Sequence, residues 1–155
     1  MSLPLQGAGT EIDESVWLLR IGGNVERELS LSLGELRARP RRTLPVTMEC
    51  AGNGRARLSP RPISQPWLVE AVSTAEWAGT SLWKVLADAG VRPDTAEIVF
   101  TGADHGVQGD VERDYQRSLS LDEARRPEVL LAYDLNGRPL ELQHGAPVRL
   151  LVPGW

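Results

Sequence analysis

An α+β fold, with mainly antiparallel or mixed sheets and short helices, follows from three features of this 155-residue sequence. Short apolar runs rich in Val, Leu and Ile recur between Gly, Pro and Asn breaks, as strands do. The helical signals are brief, and two of them open on the Ser-x-x-Glu spacing of a capping box. The runs show no βαβ alternation, which argues for mainly antiparallel pairing.

Val16, Leu18 and Ile21 begin an extended stretch, Gly22-Gly23-Asn24 breaks it, and Val25 to Leu29 resumes it, which reads as a hairpin. Ser32 and Glu35 then cap a short helix to about Arg39, ended by Pro40. Leu44 to Glu49 is extended and delivers the chain into Cys50-Ala51-Gly52-Asn53-Gly54, a run whose residues permit positive φ and close backbone approach. Leu58 to Pro66 holds three prolines and reads as an irregular loop. Leu82, Val85, Leu86 and Ala89 fall at i, i+3, i+4 and i+7, so a helix spans Ser81 to Ala89 and Gly90 closes it. A short strand, Ile98 to Thr101, leads into a Gly-rich acidic loop from Gly102 to Arg113. Ser120 and Glu123 cap another short helix. Glu128 to Leu135 is a strand, Asn136-Gly137 turns it, and a return strand begins near Leu140. Val148 to Val152 is the last strand. The two Ser-Leu-Ser-Leu segments, from Ser30 and from Ser118, are too short and too far apart to make a repeat array.

Composition narrows the function. The length suits one domain, 1–155. One cysteine excludes an internal disulfide framework and Cys-rich zinc modules. A net charge of −4 argues against a nucleic-acid partner. No apolar run reaches the roughly 18–20 residues of a membrane span. Met1 to Thr10 lacks a basic segment followed by an apolar one, so a cytoplasmic location is expected, with periplasmic export of a longer parent left open. The chain has 16 arginines and a single lysine, Lys84, a bias ascribed to genomic composition, although arginine also suits fixed anion sites.

Cys50 has two readings. A free cysteine is ordinarily a buried core residue. Beside Gly52, Asn53 and Gly54, which cannot fill a core, and near Arg55, it is instead a displayed thiol, either nucleophile or soft metal ligand. Arg55 and Arg57 are either solvated or donors to a small oxyanion. His144, followed by Gly145 and with Arg149 nearby, is either a structural strand-end residue or part of a phosphate clamp. Asp104 and His105 serve a turn or a site. Trp67, Trp77 and Trp83 are core or pocket walls.

The order of these pieces is more specific than any one of them. Thr47-Met48-Glu49-Cys50-Ala51-Gly52-Asn53-Gly54-Arg55 resembles the cysteine motif of the sulfite oxidase family of molybdopterin-binding oxidoreductases. Four further segments match in order: Ser73 to Leu82, Phe100 to Asp104, Val129 to Leu140, and His144 to Gly154. The resemblance covers about Val16 to Trp155 and implies the molybdopterin-binding fold of that family. By the same resemblance Cys50 is the thiolate on molybdenum, and Asp104, His144 and Arg149 hold the pterin and its phosphate. Arg55 faces the substrate oxyanion, and Trp67, ten residues before Trp77, lines its pocket.

The implied reaction is two-electron oxygen-atom transfer, with sulfite oxidation to sulfate favoured and sulfoxide reduction, or a binding module without catalysis, as alternatives. The implied cofactor is molybdenum with molybdopterin. The partners are a small oxyanion or sulfoxide and an external electron acceptor, a cytochrome being one candidate. Neither histidine has a partner spaced for haem, so no haem is expected. A thiol hydrolase pairing Cys50 with His144 or His105 is the competing enzyme class. The family's N-terminal Arg-Asn-His segment has no match in Leu3 to Thr10, and its closing Lys-Trp segment and dimerisation domain would follow Trp155. The chain therefore reads as the cofactor-binding core, with a homodimer expected only of a longer form.

Overall fold

The computed structural model describes residues 12–108 and 110–155. β1 (Leu18–Ile21) and β2 (Leu29–Ser32) form the first antiparallel hairpin. The return strand starts at Leu29 rather than at Val25. The intervening residues serve the end of a later helix instead: the Glu26 and Arg27 amides donate to the Ala89 carbonyl, and Val25 bridges Val91. The last carbonyls of a helix lack internal partners, which is the demand this segment meets.

α1 (Leu33–Arg37) opens on the expected capping box, with the Ser32 hydroxyl accepting from the Glu35 amide and the Glu35 carboxylate accepting from the Ser32 amide. It ends two residues sooner than the sequence suggests, capped at Ala38. β3 (Arg41–Glu49) runs the full way to the cysteine and pairs with β4 (Val72–Ser81). β4 has no clear signature in the sequence. Its Ser, Thr, Ala and Gly residues lack a Val/Ile run, yet Trp77 to Ser81 are buried. α2 (Leu82–Ala89) buries Leu82, Val85, Leu86 and Ala89, as the periodicity predicts, and ends at Gly90 with φ +70°.

β5 (Glu97–Gln108) and β6 (Val111–Ser120) correct the loop reading of Gly102 to Arg113. They form one long hairpin whose register shifts between Thr101 and His105, so a bulge takes up Gly102 to Asp104. Beyond Phe100 and Arg117 the described residues of this arm are exposed on both faces. It therefore carries no alternating apolar pattern to betray it. α3 (Leu121–Ala124) has the second capping box, from Ser120 and Glu123. β7 (Leu130–Leu135) follows, and Asn136-Gly137, at φ +50° and +74°, turns it into β8 (Arg138–Pro139). β9 (Arg149–Leu151) is the last strand.

The central sheet runs β3-β4-β7, with β8 and β9 sharing the far edge of β7, and every described pairing is antiparallel. β7 is buried on both faces. Leu131 joins one core with Leu36, Val85, Leu86 and Val129. Leu130 and Ala132, alternate residues of the same strand, join a second core with Trp77, Leu140 and Leu151. Arg37 and Arg41 both reach the Asp134 carboxylate, and both lie over the Tyr133 ring, which ties α1 and β3 to β7. Among the described residues no helix is long and apolar enough to cross a membrane.

β4 and β7 approach closely at one residue. A Cβ on Gly79 would lie 2.1 Å from the Leu131 carbonyl oxygen, at the point where the β4–β7 register shifts. Gly79→Ala is expected to cost about 1–3 kcal/mol or more, as overpacking against backbone does. Urea unfolding would show it as a lowered midpoint, with Gly106→Ala, where a Cβ meets nothing within 4 Å, as the neutral comparison. The capping boxes predict an acid response. Hydrogen bonds from the Ser32 backbone and side chain hold the Glu35 carboxyl below its ordinary range, and those from the Ser120 side chain and backbone do the same for Glu123. A carboxyl lowered in the folded state stabilises it above the unfolded pKa of about 4.3, and this is lost as pH falls through the folded value. Unfolding midpoints from pH 6 to pH 3 should therefore fall more steeply for the native chain than for a Glu35→Gln/Glu123→Gln variant.

Candidate cofactor site

Cys50 follows β3 directly. Its amide donates to the Ala71 carbonyl at 2.9 Å, which extends the β3–β4 pairing by one step. The chain then turns sharply, with the Asn53 amide on the Cys50 carbonyl (2.8 Å) and the Arg55 amide on the Gly52 carbonyl (3.1 Å). Gly54, at φ +83°, feeds a single 3-10 turn, Arg55–Arg57. The Gly52 amide also lies 3.4 Å from Cys50 Sγ, as a donor to sulfur. Cys50 itself is exposed. It is a displayed thiol and not a core cysteine.

Arg55 folds back over this turn. Its Nε donates to the Gly52 carbonyl at 3.1 Å, and a Cβ on residue 52 would fall 1.6 Å from Nη2. Only glycine allows the guanidinium to lie there. Trp67 is beside the same turn, its carbonyl accepting from the Ala56 amide at 3.1 Å. Cys50, Arg55 and Trp67 thus share one loop cluster. Arg57 is exposed at its rim.

A second group sits at the opposite edge of the sheet, beside β8 and β9. A 3-10 turn, Leu142–His144, ends in Gly145 at φ +90°. Arg149 opens β9, donates to the His144 carbonyl at 3.3 Å, and lies 5.3 Å from the ring centre of Trp77. His144 Nδ1 is buried without a hydrogen-bond partner, and the nearest Glu141 oxygen is 3.8 Å away, beyond bonding range. Leaving such an atom unpaired costs about 1–3 kcal/mol, the mark of a group that awaits a partner. A cleft of ≈ 380 Å³ lies alongside, lined by Leu135, Asn136, Arg138, Pro139, Glu141 and His144.

The two groups share one face. Leu44, Val46 and Met48 of β3 pack on the core that holds Trp77, and Arg149 stacks on that same tryptophan. Trp77 pairs with Leu44, six residues before Cys50. At about 3.3 Å per residue the thiol is roughly 20 Å along the strand from the arginine's anchor.

Asp104 contributes its backbone to the β5 bulge, and its side chain lies outside the described residues. His105 is on the exposed hairpin, Nδ1 2.9 Å from Asp114 Oδ1, and neither it nor His144 bonds to Cys50. The Cys–His pairing of a thiol hydrolase is not formed. Among the described residues no three His, Cys, Asp or Glu side chains could hold a metal. A metal on Cys50 must therefore bring most of its ligands with it, which fits a dithiolene cofactor and a single protein thiolate. Sequence reasoning took Asn53 only as a turn former and missed that its amide side chain bridges Glu49 and Ala71. It also passed over Tyr115, on whose ring Arg117 stacks at 4.5 Å. Their i, i+2 spacing on β6 was the available signal for that second pair.

Residues 6–155 match the family model for the oxidoreductase molybdopterin-binding domain. The chain belongs to this family. It is 41% identical over 140 residues to mitochondrial sulfite oxidase of Rattus norvegicus, covering 86% of this chain and 25% of that protein. Sulfite oxidase of Gallus gallus is 40% identical over 151 residues, 92% of this chain and 32% of its own length. Nitrate reductase [NADH] 1 of Oryza sativa subsp. japonica is 34% identical over 157 residues, 96% of this chain and 17% of that one. Among solved structures, the sulfane dehydrogenase SoxCD from Paracoccus pantotrophus superposes with a TM-score of 0.78 at 30% identity, covering 94% of this chain and 36% of its own. The chain spans between a sixth and about a third of these relatives. The fold is the sulfite oxidase-like α+β fold, and the family's cofactor is molybdenum with molybdopterin.

The Arg55–Gly52 contact is open to a direct check. Gly52→Ala should displace the guanidinium at little cost in stability, within about 1 kcal/mol, because a flexible side chain yields. The readouts are an unchanged urea midpoint and loss of the protected Arg55 Nε–H resonance.

Proposed function

We propose that this domain catalyses two-electron oxygen-atom transfer at a molybdenum cofactor, with sulfite oxidation to sulfate as the favoured direction. The observation that carries it is the exposed Cys50 thiol, presented by a glycine turn with Arg55 over it. The kinship to sulfite oxidases of about 40% identity supports the direction. The kinship to a nitrate reductase supports the reverse one, oxygen removal from substrate, as the second reading. When bound, the cofactor supplies a metal that exchanges one oxygen atom and two electrons with a substrate.

The protein's part is to hold and to orient. Cys50 gives up its proton on binding and anchors the metal as a thiolate. The Gly52 amide donates to that sulfur and offsets part of its charge. At the other end Arg149, stiffened by Trp77, supplies a permanent charge to the cofactor's phosphate, and His144 Nδ1 gains the partner it lacks. Asp104 belongs to this cofactor set. Arg55 commits Nε to its own turn, which leaves its Nη atoms to receive the substrate anion. Trp67 walls that pocket. An external acceptor takes the electrons. A cytoplasmic location and a dimer in longer forms complete this reading.

Metal analysis of protein from a cofactor-competent host tests the proposal, with about one molybdenum per chain expected. Molybdenum well below one per chain, in both this chain and a version extended at both ends, overturns it. Cys50→Ser should abolish oxygen-atom transfer and metal retention while leaving the unfolding free energy within about 0.5 kcal/mol of the parent, since the thiol is exposed.

A further inference from the structure

Cys50 is gripped by one neighbour from both flanks. The Asn53 side chain donates through Nδ2 to Glu49 Oε1 at 2.7 Å, on the residue just before the cysteine. Its Oδ1 accepts from the Ala71 amide at 3.3 Å, on the residue whose carbonyl receives the Cys50 amide at 2.9 Å. Its own amide closes on the Cys50 carbonyl at 2.8 Å. Three bonds from one asparagine thus tie together the side chain just before the thiol and the peptide units at and opposite it. Arg55 steadies the later part of the turn through Gly52, but Ala51 is exposed and Gly52 and Gly54 carry no side chains, so Asn53 is the side chain that ties the two strands on either side of the cysteine.

We infer that Asn53 is a positioning residue for the metal-bearing thiolate, acting through Glu49 and Ala71 and touching neither metal nor substrate. The inference rests on the reading of Cys50 as the molybdenum ligand. Geometry fixes the chemistry of each partner. An amide is needed because the residue must donate to a carboxylate and accept from a backbone N–H at once, which neither aspartate nor leucine does. Presenting the thiolate on a fixed backbone removes the ordering cost that a mobile loop would add to metal binding. With a metal bound, the same fixed backbone would hold the orientation of the sulfur, to which a thiolate-to-metal absorption band is sensitive.

The donor–acceptor pattern supplies a rescue. Asn53→Asp alone places two carboxylates against each other and breaks the bond to Glu49. Glu49→Gln/Asn53→Asp reverses donor and acceptor, the introduced glutamine donating and the introduced aspartate accepting. It keeps the acceptor for Ala71 and leaves the net charge unchanged. Three forms of the full chain are compared: the parent, the single variant and the double variant.

In metal-free protein, amide exchange at Asn53 and Ala71 should quicken at least tenfold in Asn53→Asp. Exchange at Val46 and Ala75, mid-strand in β3 and β4, should stay within twofold, and the double variant should return to parent rates. In loaded protein the single variant should lose molybdenum about tenfold faster and show a shifted thiolate-to-metal band, both restored in the double variant. Acceleration spread evenly along β3 and β4 would make Asn53 a general stabiliser and overturn the inference, as would a double variant that restores neither exchange nor metal retention. A parent chain that takes up no molybdenum under any condition sinks the functional reading instead, and the exchange pattern then decides the clamp alone.

Discussion

The approach of β4 to β7 at Gly79 governs the rest of the chain. β7 is buried on both faces, and both cores are built on its alternate residues. It can serve them only because β4 comes close enough to pair along one edge, while β8 and β9 share the other. That packing brings Trp77 of β4 under Arg149 of β9, although the two are 72 positions apart in sequence. The same sheet carries Cys50, because β3 is registered on β4 along its whole length. The two ends of the candidate site are thus positioned by one set of strand pairings.

Charge is handled differently at each end. Near the thiol, the donors are a backbone amide on the sulfur and an arginine turned onto its own loop. At the far end a permanent cation is stiffened by an indole face, and an imidazole nitrogen is left unpaired in a buried position. The first arrangement suits a group that changes charge during a reaction. The second suits a charge that never changes. This division follows from residue type, since arginine stays ionised at any working pH and a thiol does so only when something holds it deprotonated.

Much of this was legible in the sequence, for identifiable reasons. Both capping boxes and α2 were readable because their signals are local: a hydroxyl and a carboxyl three residues apart, or an apolar stripe on one helix face. The Cys50 turn was readable because glycine and asparagine in a row have few other uses. β4 was missed because its burial comes from neighbours and not from its own hydrophobicity. The outer part of the β5–β6 hairpin was missed for the opposite reason, since an arm exposed on both faces imposes no pattern on its residues. The meeting of Trp77 with Arg149 depends on the register of three strands, and no local pattern encodes it. Asn53 was seen as a turn former, and its second role needed the position of Ala71, which only the folded chain supplies.

The pairing of β3 with β4 has a further meaning. Because Cys50 follows an unbroken nine-residue strand and the Trp77 anchor pairs six residues before it, β3 works as a ruler. One residue added inside it would turn the thiol to the wrong face of the sheet. Two would keep the face but displace the thiol by roughly 7 Å. Side chains along β3 are free to vary so long as their alternation holds, whereas their number is not. The position of the thiol relative to the sheet is written into the chain as a count of residues.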